Sequence, residues 1–255
     1  MKLRIIQWNL KINSSIDKII EFLKLNLTEN CIINLQEVSV NSFLKLKELI
    51  GINIAFSLDF RTPGVYEGKN RKMGVATLVF GGLITKKGIL ENTVFPERSL
   101  LTEILIGDVK ITNLTFHSLT GVDYKKAKSS NFASIASYLS TNTIDLFTCD
   151  ANEPKVDSFN DELIECFDNR DKGEKAGLLF GKNRVHDFVD SYKAYAKNCN
   201  SELSSGYTHI TGKKPKRYDF IYGNKNWKIQ NSKCYYKESI IATSDHAILI
   251  TDYEI

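Results

Sequence analysis

The chain of 255 residues and 28.9 kDa carries 42% hydrophobic and 25% charged residues, enough apolar material for a large core at the upper end of single-domain size. Its formal charge of +4 and pI of about 8.6 favour polyanionic partners without requiring them. No run reaches the roughly 18 apolar residues of a membrane span, the opening stretch is broken by Gln7 and Asn9 before it could serve as a signal peptide, and an odd set of five cysteines with no C-x-x-C pair argues against a disulfide framework or a zinc site.

A protein of one domain, residues 1–255, is therefore expected, in a reducing, cytoplasmic setting, with free thiols and no membrane insertion. In chain order, the apolar stretch Leu3-Arg4-Ile5-Ile6-Gln7-Trp8 ends at Asn9. Ile16, Ile19, Ile20, Leu23 and Leu27 then share one helical face, with Ser14 and Asp17 spaced as a capping box. The next apolar run, Cys31-Ile32-Ile33-Asn34-Leu35-Gln36, ends at Glu37, and a helix over residues 41–50 is stopped by Gly51.

Residues 58–72, which include Thr62-Pro63-Gly64, Tyr66 and Arg71, read as a surface loop at the rim of a binding cleft. Strands follow at 73–80, 101–106 and 109–116, the last two joined by a tight turn at Gly107-Asp108 and the last ending at His117. A helix over 125–139 leads to Ile144-Asp145-Leu146-Phe147-Thr148-Cys149, which ends in Asp150-Ala151-Asn152, and a further helix is expected at 158–167. The basic run Lys213-Lys214-Pro215-Lys216-Arg217 precedes a strand at 218–222 that carries Asp219, and Asp245-His246 opens the final strand. Short strands rich in Ile, Val, Phe and Thr alternating with helices predict sheets covered by helices.

Each polar residue at these run ends has an ordinary alternative. Asn9 can form a turn, Glu37 can be a solvated strand end, and His117 a half-buried, hydrogen-bonded histidine. Asp150 and Asn152 can cap the segment that follows, and Asp219 can pair with Arg217. What sets them apart is their order: Asn, Glu, His, Asp-x-Asn, Asp, Asp-His.

In that order the segments Gln7-Trp8-Asn9-Leu10, Leu35-Gln36-Glu37-Val38, Phe116-His117-Ser118, Cys149-Asp150-Ala151-Asn152, Arg217-Tyr218-Asp219-Phe220-Ile221 and Ser244-Asp245-His246 resemble the endonuclease/exonuclease/phosphatase superfamily. The resemblance implies an α/β, four-layer sandwich of two packed, mostly antiparallel β-sheets flanked by helices, with the catalytic side chains at one edge. It also implies a divalent metal, Mg²⁺ with Mn²⁺ as a substitute, held by Glu37 with Asn9 and Asp245. This agrees with the preference of that hard cation for oxygen ligands. Carried over by position, His246 faces the phosphate and is oriented by Asp219, Asp150 and Asn152 place or deprotonate the attacking water, and His117 contacts the phosphate or the leaving oxygen. Asp190 and Thr208 receive a structural part only.

Three departures bear on substrate. Cys149 stands where the superfamily usually has glycine, Lys11 where its abasic-site branch has an acid, and His117 where that branch has tyrosine. The last two point to the branches with histidine. A glutamate that supports this histidine in deoxyribonuclease has no counterpart at Lys72-Met73-Gly74. Arg71 and Arg217 are candidate phosphate contacts. With the basic charge and with Tyr66, Tyr207 and Tyr218 near loop ends, the expected activity is metal-assisted hydrolysis of nucleic acid, DNA foremost, by a monomer. The alternative is a phosphatase or phospholipase-C-like hydrolase of inositol phosphates or sphingomyelin.

Overall fold

A computed structural model describes residues 1–63, 72–167 and 171–255. In the N-terminal half the elements are β1 (Lys2–Asn9), α1 (Ile16–Asn26), β2 (Cys31–Val38), α2 (Val40–Leu46), β3 (Ile52–Phe56), β4 (Gly74–Phe80), β5 (Leu83–Gly88), β6 (Ser99–Ile106), β7 (Val109–His117) and α3 (Gly121–Thr141). They continue with β8 (Leu146–Asp150), α4 (Glu174–Phe180), β9 (Val189–Asp190), α5 (Ser191–Asn198), β10 (His209–Thr211), β11 (Lys214–Lys216), β12 (Asp219–Gly223), β13 (Lys228–Tyr235), α6 (Tyr236–Ile241) and β14 (Ile248–Glu254). Two six-stranded sheets result, ordered β13-β14-β1-β2-β4-β3 and β5-β6-β7-β8-β12-β9, beside the small β10-β11 hairpin. Only β1–β2 and β7–β8 are parallel; every other pair is antiparallel. The expected α/β sandwich is the fold observed.

The strand period of two sorts the side chains into layers. On β1, Ile6 and Trp8 pack under α1 and α2 with Ile19, Leu23 and Phe43, whereas Leu3 and Ile5 face the other sheet and meet Ile111, Leu146 and Ile221. On the far side Phe116, Phe147, Cys149 and Phe220 pack against Phe132 of α3 and Phe180 of α4. Trp8 is fully buried, edge-on to Phe22 at 5.8 Å, and burial of such a ring contributes about 2–3 kcal/mol.

Between the sheets the core changes character along its length. Beyond the apolar contacts of Leu3 and Ile5 lies a buried polar lattice. Asn34 Nδ2 donates to Asn113 Oδ1 at 2.9 Å, Gln36 Nε2 donates to Thr115 Oγ1 at 3.0 Å and to Gln7 Oε1 at 2.8 Å, and Gln7 Nε2 donates to Asp219 Oδ1 at 3.2 Å. Each amide would be costly to bury alone, so the bonds fix how the two sheets register against one another.

Several local expectations need correction. Ser14 forms no capping box: its hydroxyl donates back to the Leu10 carbonyl at 2.5 Å, and α1 starts at Ile16 after Ser15. The helix expected at 41–50 runs only over Val40–Leu46, and left-handed Gly51 (φ 76°) follows a separate turn. The helix expected at 158–167 is a single 3-10 turn, Asp161–Leu163. Asp157, just before this stretch, and Asp161 within it are drawn into pairs with Arg217, Lys193 and Arg184. The helix over 125–139 extends to Gly121–Thr141 with a break at Tyr124. The Gly107-Asp108 turn joins β6 to β7 as expected, with Ile106 opposite Val109.

Candidate active site

One edge of the sandwich collects the polar run ends. Strands β1, β2, β7 and β8 finish there, and the antiparallel β12 and β14 begin there. Register places Asn9 beside Gln36, His117 beside Asp150, and Asp219 beside Asp150. The same alternation that buries Trp8 and Cys149 on the helix faces turns Asn9, His117, Asp150 and Asp219 toward the space between the sheets.

Glu37 needs a further device. A period of two would direct it to the helix side, like Leu35. A bulge intervenes: between the pairs Leu35–Ala76 and Val38–Gly74, two residues of β2 oppose one of β4, and Glu37 adopts φ 55°. Such a bulge re-aims a side chain at the price of local strain. Here it brings the carboxylate to Asn9, whose Nδ2 donates to Glu37 Oε1 at 3.2 Å, while the Ile12 N–H donates to Oε2 at 2.8 Å.

Asp150 lies at the centre. Its Oδ2 accepts from Asn9 Nδ2 at 2.8 Å and its Oδ1 from the Asn152 N–H at 3.0 Å. Asn152 takes φ 50°, and Lys128 Nζ, itself paired with buried Glu153 at 2.8 Å, donates to its carbonyl at 2.8 Å. Burial first, with the Asp219 charge adding to it, raises the Asp150 pKa to about 7 despite the His246 charge and the Asn9 bond.

His246 Nδ1 is bonded to Asp219 Oδ2 at 2.8 Å, and its Nε2 lies 3.8 Å from Asp150 Oδ2. Burial opposes its charge, but the Asp219 and Asp150 carboxylates outweigh that and raise its pKa to about 10. The backbone holds the ring in place: Trp8 Nε1 donates to the His246 carbonyl at 3.0 Å, and the His246 N–H donates to Ser244 Oγ at 3.1 Å. His117 is the opposite case. Burial first, then the charges of Arg98 and His246, hold its pKa well below 6.5. Its Nε2 sits 3.5 Å from Asp150 and 3.8 Å from Glu37, and these are contacts of a neutral ring rather than ion pairs. Its Nδ1 is buried without a hydrogen-bond partner among the described residues.

Asp245 is half-exposed at the outer edge and pairs with Lys11 at 3.2 Å. His209, which the sequence reading passed over, packs its ring 4.5 Å from that of His246. The pattern Tyr207-Thr208-His209 carried the signal, because Thr208 accepts from the Asp219 N–H at 3.1 Å. Gln7 and Gln36 were likewise missed; they resemble any polar strand residue until the second sheet is in place.

Arg217 is not at this edge. Its Nε donates to Asp157 at 2.6 Å and its Nη1 and Nη2 to Asp190 at 3.0 and 2.7 Å. It is buried, so the expected phosphate contact is replaced by a structural ion pair, and Asp219 does not pair with it. Tyr218 is also buried. Arg71 and Tyr66 lie outside the described residues.

The donor set suits a hard divalent cation. Glu37 is oriented by two N–H groups and, among the described residues, pairs with no lysine or arginine, Asp150 lies within reach of the same space, and the adjoining His117 is neutral. Two groups bring carboxylate and imidazole atoms within 4.8 Å of one another: Asp150, Asp219 and His246, and His209, Asp245 and His246. Among the described residues no helix is long and apolar enough to cross a membrane.

No protein-family model matches the chain, and no curated protein matches its sequence. Solved structures do match over essentially its full length. The human Nocturnin catalytic domain with bound sulfate is 16% identical, with 99% of this chain and 94% of that one covered and a TM-score of 0.70. D. rerio TDP2 complexed with a single-strand DNA product is 13% identical, with 100% and 99% covered and a TM-score of 0.68. An AP endonuclease from Archaeoglobus fulgidus is 19% identical, with 99% and 100% covered and a TM-score of 0.67. With two mixed six-stranded sheets, six helices and these full-length matches, the chain has the endonuclease/exonuclease/phosphatase fold.

Proposed function

We propose that the chain hydrolyses phosphodiester bonds in nucleic acid, DNA foremost, in a reaction that depends on Mg²⁺, with Mn²⁺ able to substitute. The observation that supports this reading is the convergence of Asn9, Glu37, His117, Asp150, Asp219 and His246 from six separate segments onto one edge of the sandwich. Solved structures of the same fold include a TDP2 bound to a DNA product and an AP endonuclease. The basic charge of the chain is consistent with a polyanionic substrate.

In this reading Glu37, with Asn9 and Asp245, would hold the metal, Asn9 also orienting the Glu37 carboxylate. The bound ion supplies Lewis-acid neutralisation of the phosphoryl oxygens. His246, protonated and braced by Asp219, donates its Nε2–H to a phosphoryl oxygen whose charge grows in the transition state. Asp150, with its pKa near neutrality, takes the proton of the attacking water. Asn152, pinned through its carbonyl by Lys128, positions that water. Neutral His117 borders the same space and contacts the phosphate or the departing oxygen.

The test is a Mg²⁺-dependent panel of supercoiled plasmid, single-stranded DNA, a 5′-tyrosyl oligonucleotide, RNA, sphingomyelin and inositol phosphates. Cleavage of polynucleotide, lost in EDTA, is expected. Turnover of lipid or inositol phosphate with every polynucleotide untouched would replace this reading with the small-phosphoester one.

A further inference from the structure

Three half-buried rings, Tyr207, His209 and Tyr236, lie on the segments that flank His246, and the chemistry above uses none of them. Thr208 points inward, where its Oγ1 accepts from the Tyr218 and Asp219 N–H groups at 2.9 and 3.1 Å, and its carbonyl accepts from the Ala247 N–H at 2.7 Å. The backbone at Tyr207 is extended (φ −61°, ψ 142°), and side chains alternate along such a segment. Tyr207 and His209, both half-buried, flank the residue that holds Asp219.

The Tyr207 ring lies 4.9 Å from that of Tyr236, the first residue of the helix that leads into Asp245 and His246. His209, two residues on from Tyr207, packs on His246 at 4.5 Å and on Tyr218 at 5.9 Å. Burial first, then the neighbouring Tyr207 and Asp245, hold the Tyr236 hydroxyl in its neutral form. Tyr207 also lines a cleft of about 250 Å³ whose walls include Pro154, Pro215, Lys155, Lys216 and the Arg217–Asp157 pair. Lys11, half-exposed, pairs with Asp245 at 3.2 Å.

We propose that Tyr207 and Tyr236, continued by His209, form a stacking subsite for an unpaired nucleobase next to the phosphate at His246, so that single-stranded nucleic acid is preferred to intact duplex. This inference rests on the phosphodiesterase reading above. Bases inside a duplex have both faces covered by neighbours, whereas an unpaired base offers a π-face to an aromatic wall irrespective of sequence. Lys155 and Lys216, respectively exposed and half-buried on the walls of the cleft that Tyr207 lines, suit a phosphate next to that base.

The test uses the full chain and two probes. A single-stranded oligonucleotide bearing 2-aminopurine is mixed with the Asp150→Asn protein, and quenching of its fluorescence reports stacking. Quenching is expected, with affinity reduced about tenfold by a further Tyr207→Ala or Tyr236→Ala change and restored by Tyr207→Phe, the effect of losing one base stack. In the active protein, kcat/KM for the oligonucleotide is measured against that for methyl 4-nitrophenyl phosphate. The alanine changes should lower this ratio about tenfold through KM. An unaltered ratio and unaltered quenching, or a preference for duplex, overturns the stacking subsite while leaving the phosphodiesterase reading intact. Failure to hydrolyse either phosphodiester overturns that reading instead.

Discussion

Asp219 and His246, 27 residues apart, meet through a 2.8 Å bond between a carboxylate oxygen and Nδ1. Gln7 occupies the other Asp219 oxygen at 3.2 Å, so the aspartate has one orientation and the imidazole presents Nε2 to the open edge. Removal of one partner from a buried pair leaves the other charge uncompensated, at a cost of about 3–5 kcal/mol.

Asp219→Asn should therefore lower the His246 pKa from about 10 toward its ordinary 6.5, while kcat falls by about 10²-fold or more as a preorganised charge at the phosphate is lost. NMR titration of the His246 ring alongside kinetics checks both. An unchanged ring titration with lost activity would separate Asp219 from His246.

The pH dependence of stability follows from the same groups. In the metal-free chain His246 binds its proton more tightly folded than unfolded, so its contribution is fully present below about 6.5 and is lost as pH rises to about 10. Asp150, raised from 3.8 to about 7, acts in the same sense over a lower window: its contribution is present below 3.8 and lost by about 7. Thermal melts in EDTA should show Tm falling between pH 7 and pH 10, and His246→Gln should flatten that fall.

Activity should have a different profile. Asp150 must lose its proton to act as base and His246 must keep its own, so kcat/KM rises toward about 7 and falls toward about 10. A bound divalent cation, which favours the ionised carboxylate, moves the lower limb to more acid pH. Asp150→Asn should abolish the acid limb, measured with the single-stranded oligonucleotide as substrate.

Arg217 and Glu37 should separate stability from catalysis. Arg217→Met strands buried Asp190 and leaves Asp157 paired with Lys193 alone among the described residues, at a cost of about 3 kcal/mol or more. For a chain of this size that lowers Tm by roughly 6 °C or more. Glu37→Gln, at a part-exposed edge, should leave Tm within a few degrees and raise the Mg²⁺ concentration needed for half-maximal rate. Melting curves and metal titrations of the two variants distinguish the roles.

How much of this was legible in the sequence depends on whether a feature was set by neighbours along the chain or across it. Asn9, His117, Asp150 and Asp219 could be found because each ends or opens an apolar strand, and the period of two then fixes the face. Glu37 was legible as a run end, but its direction depends on a bulge that exists only opposite β4. Arg217 was misplaced because a basic run looks solvated. Its partner Asp190 is 27 residues away and reaches it only once β9 pairs with β12. The helix expected at 158–167 failed for a related reason: its acids are held by distant cations, a tertiary override of local preference. The polar lattice of Gln7, Asn34, Gln36 and Asn113 could not be read from either sheet alone.

The most direct measurement is single-turnover cleavage of a single-stranded DNA oligonucleotide with Mg²⁺, by the unaltered chain and by Asp150→Asn. The geometry predicts Mg²⁺-dependent cleavage, abolished by EDTA and slowed about 10²- to 10⁴-fold by the substitution, as expected for loss of a general base. Equal rates in the two proteins, or cleavage indifferent to EDTA, would contradict the assignment of this edge as a metal-dependent phosphodiesterase centre.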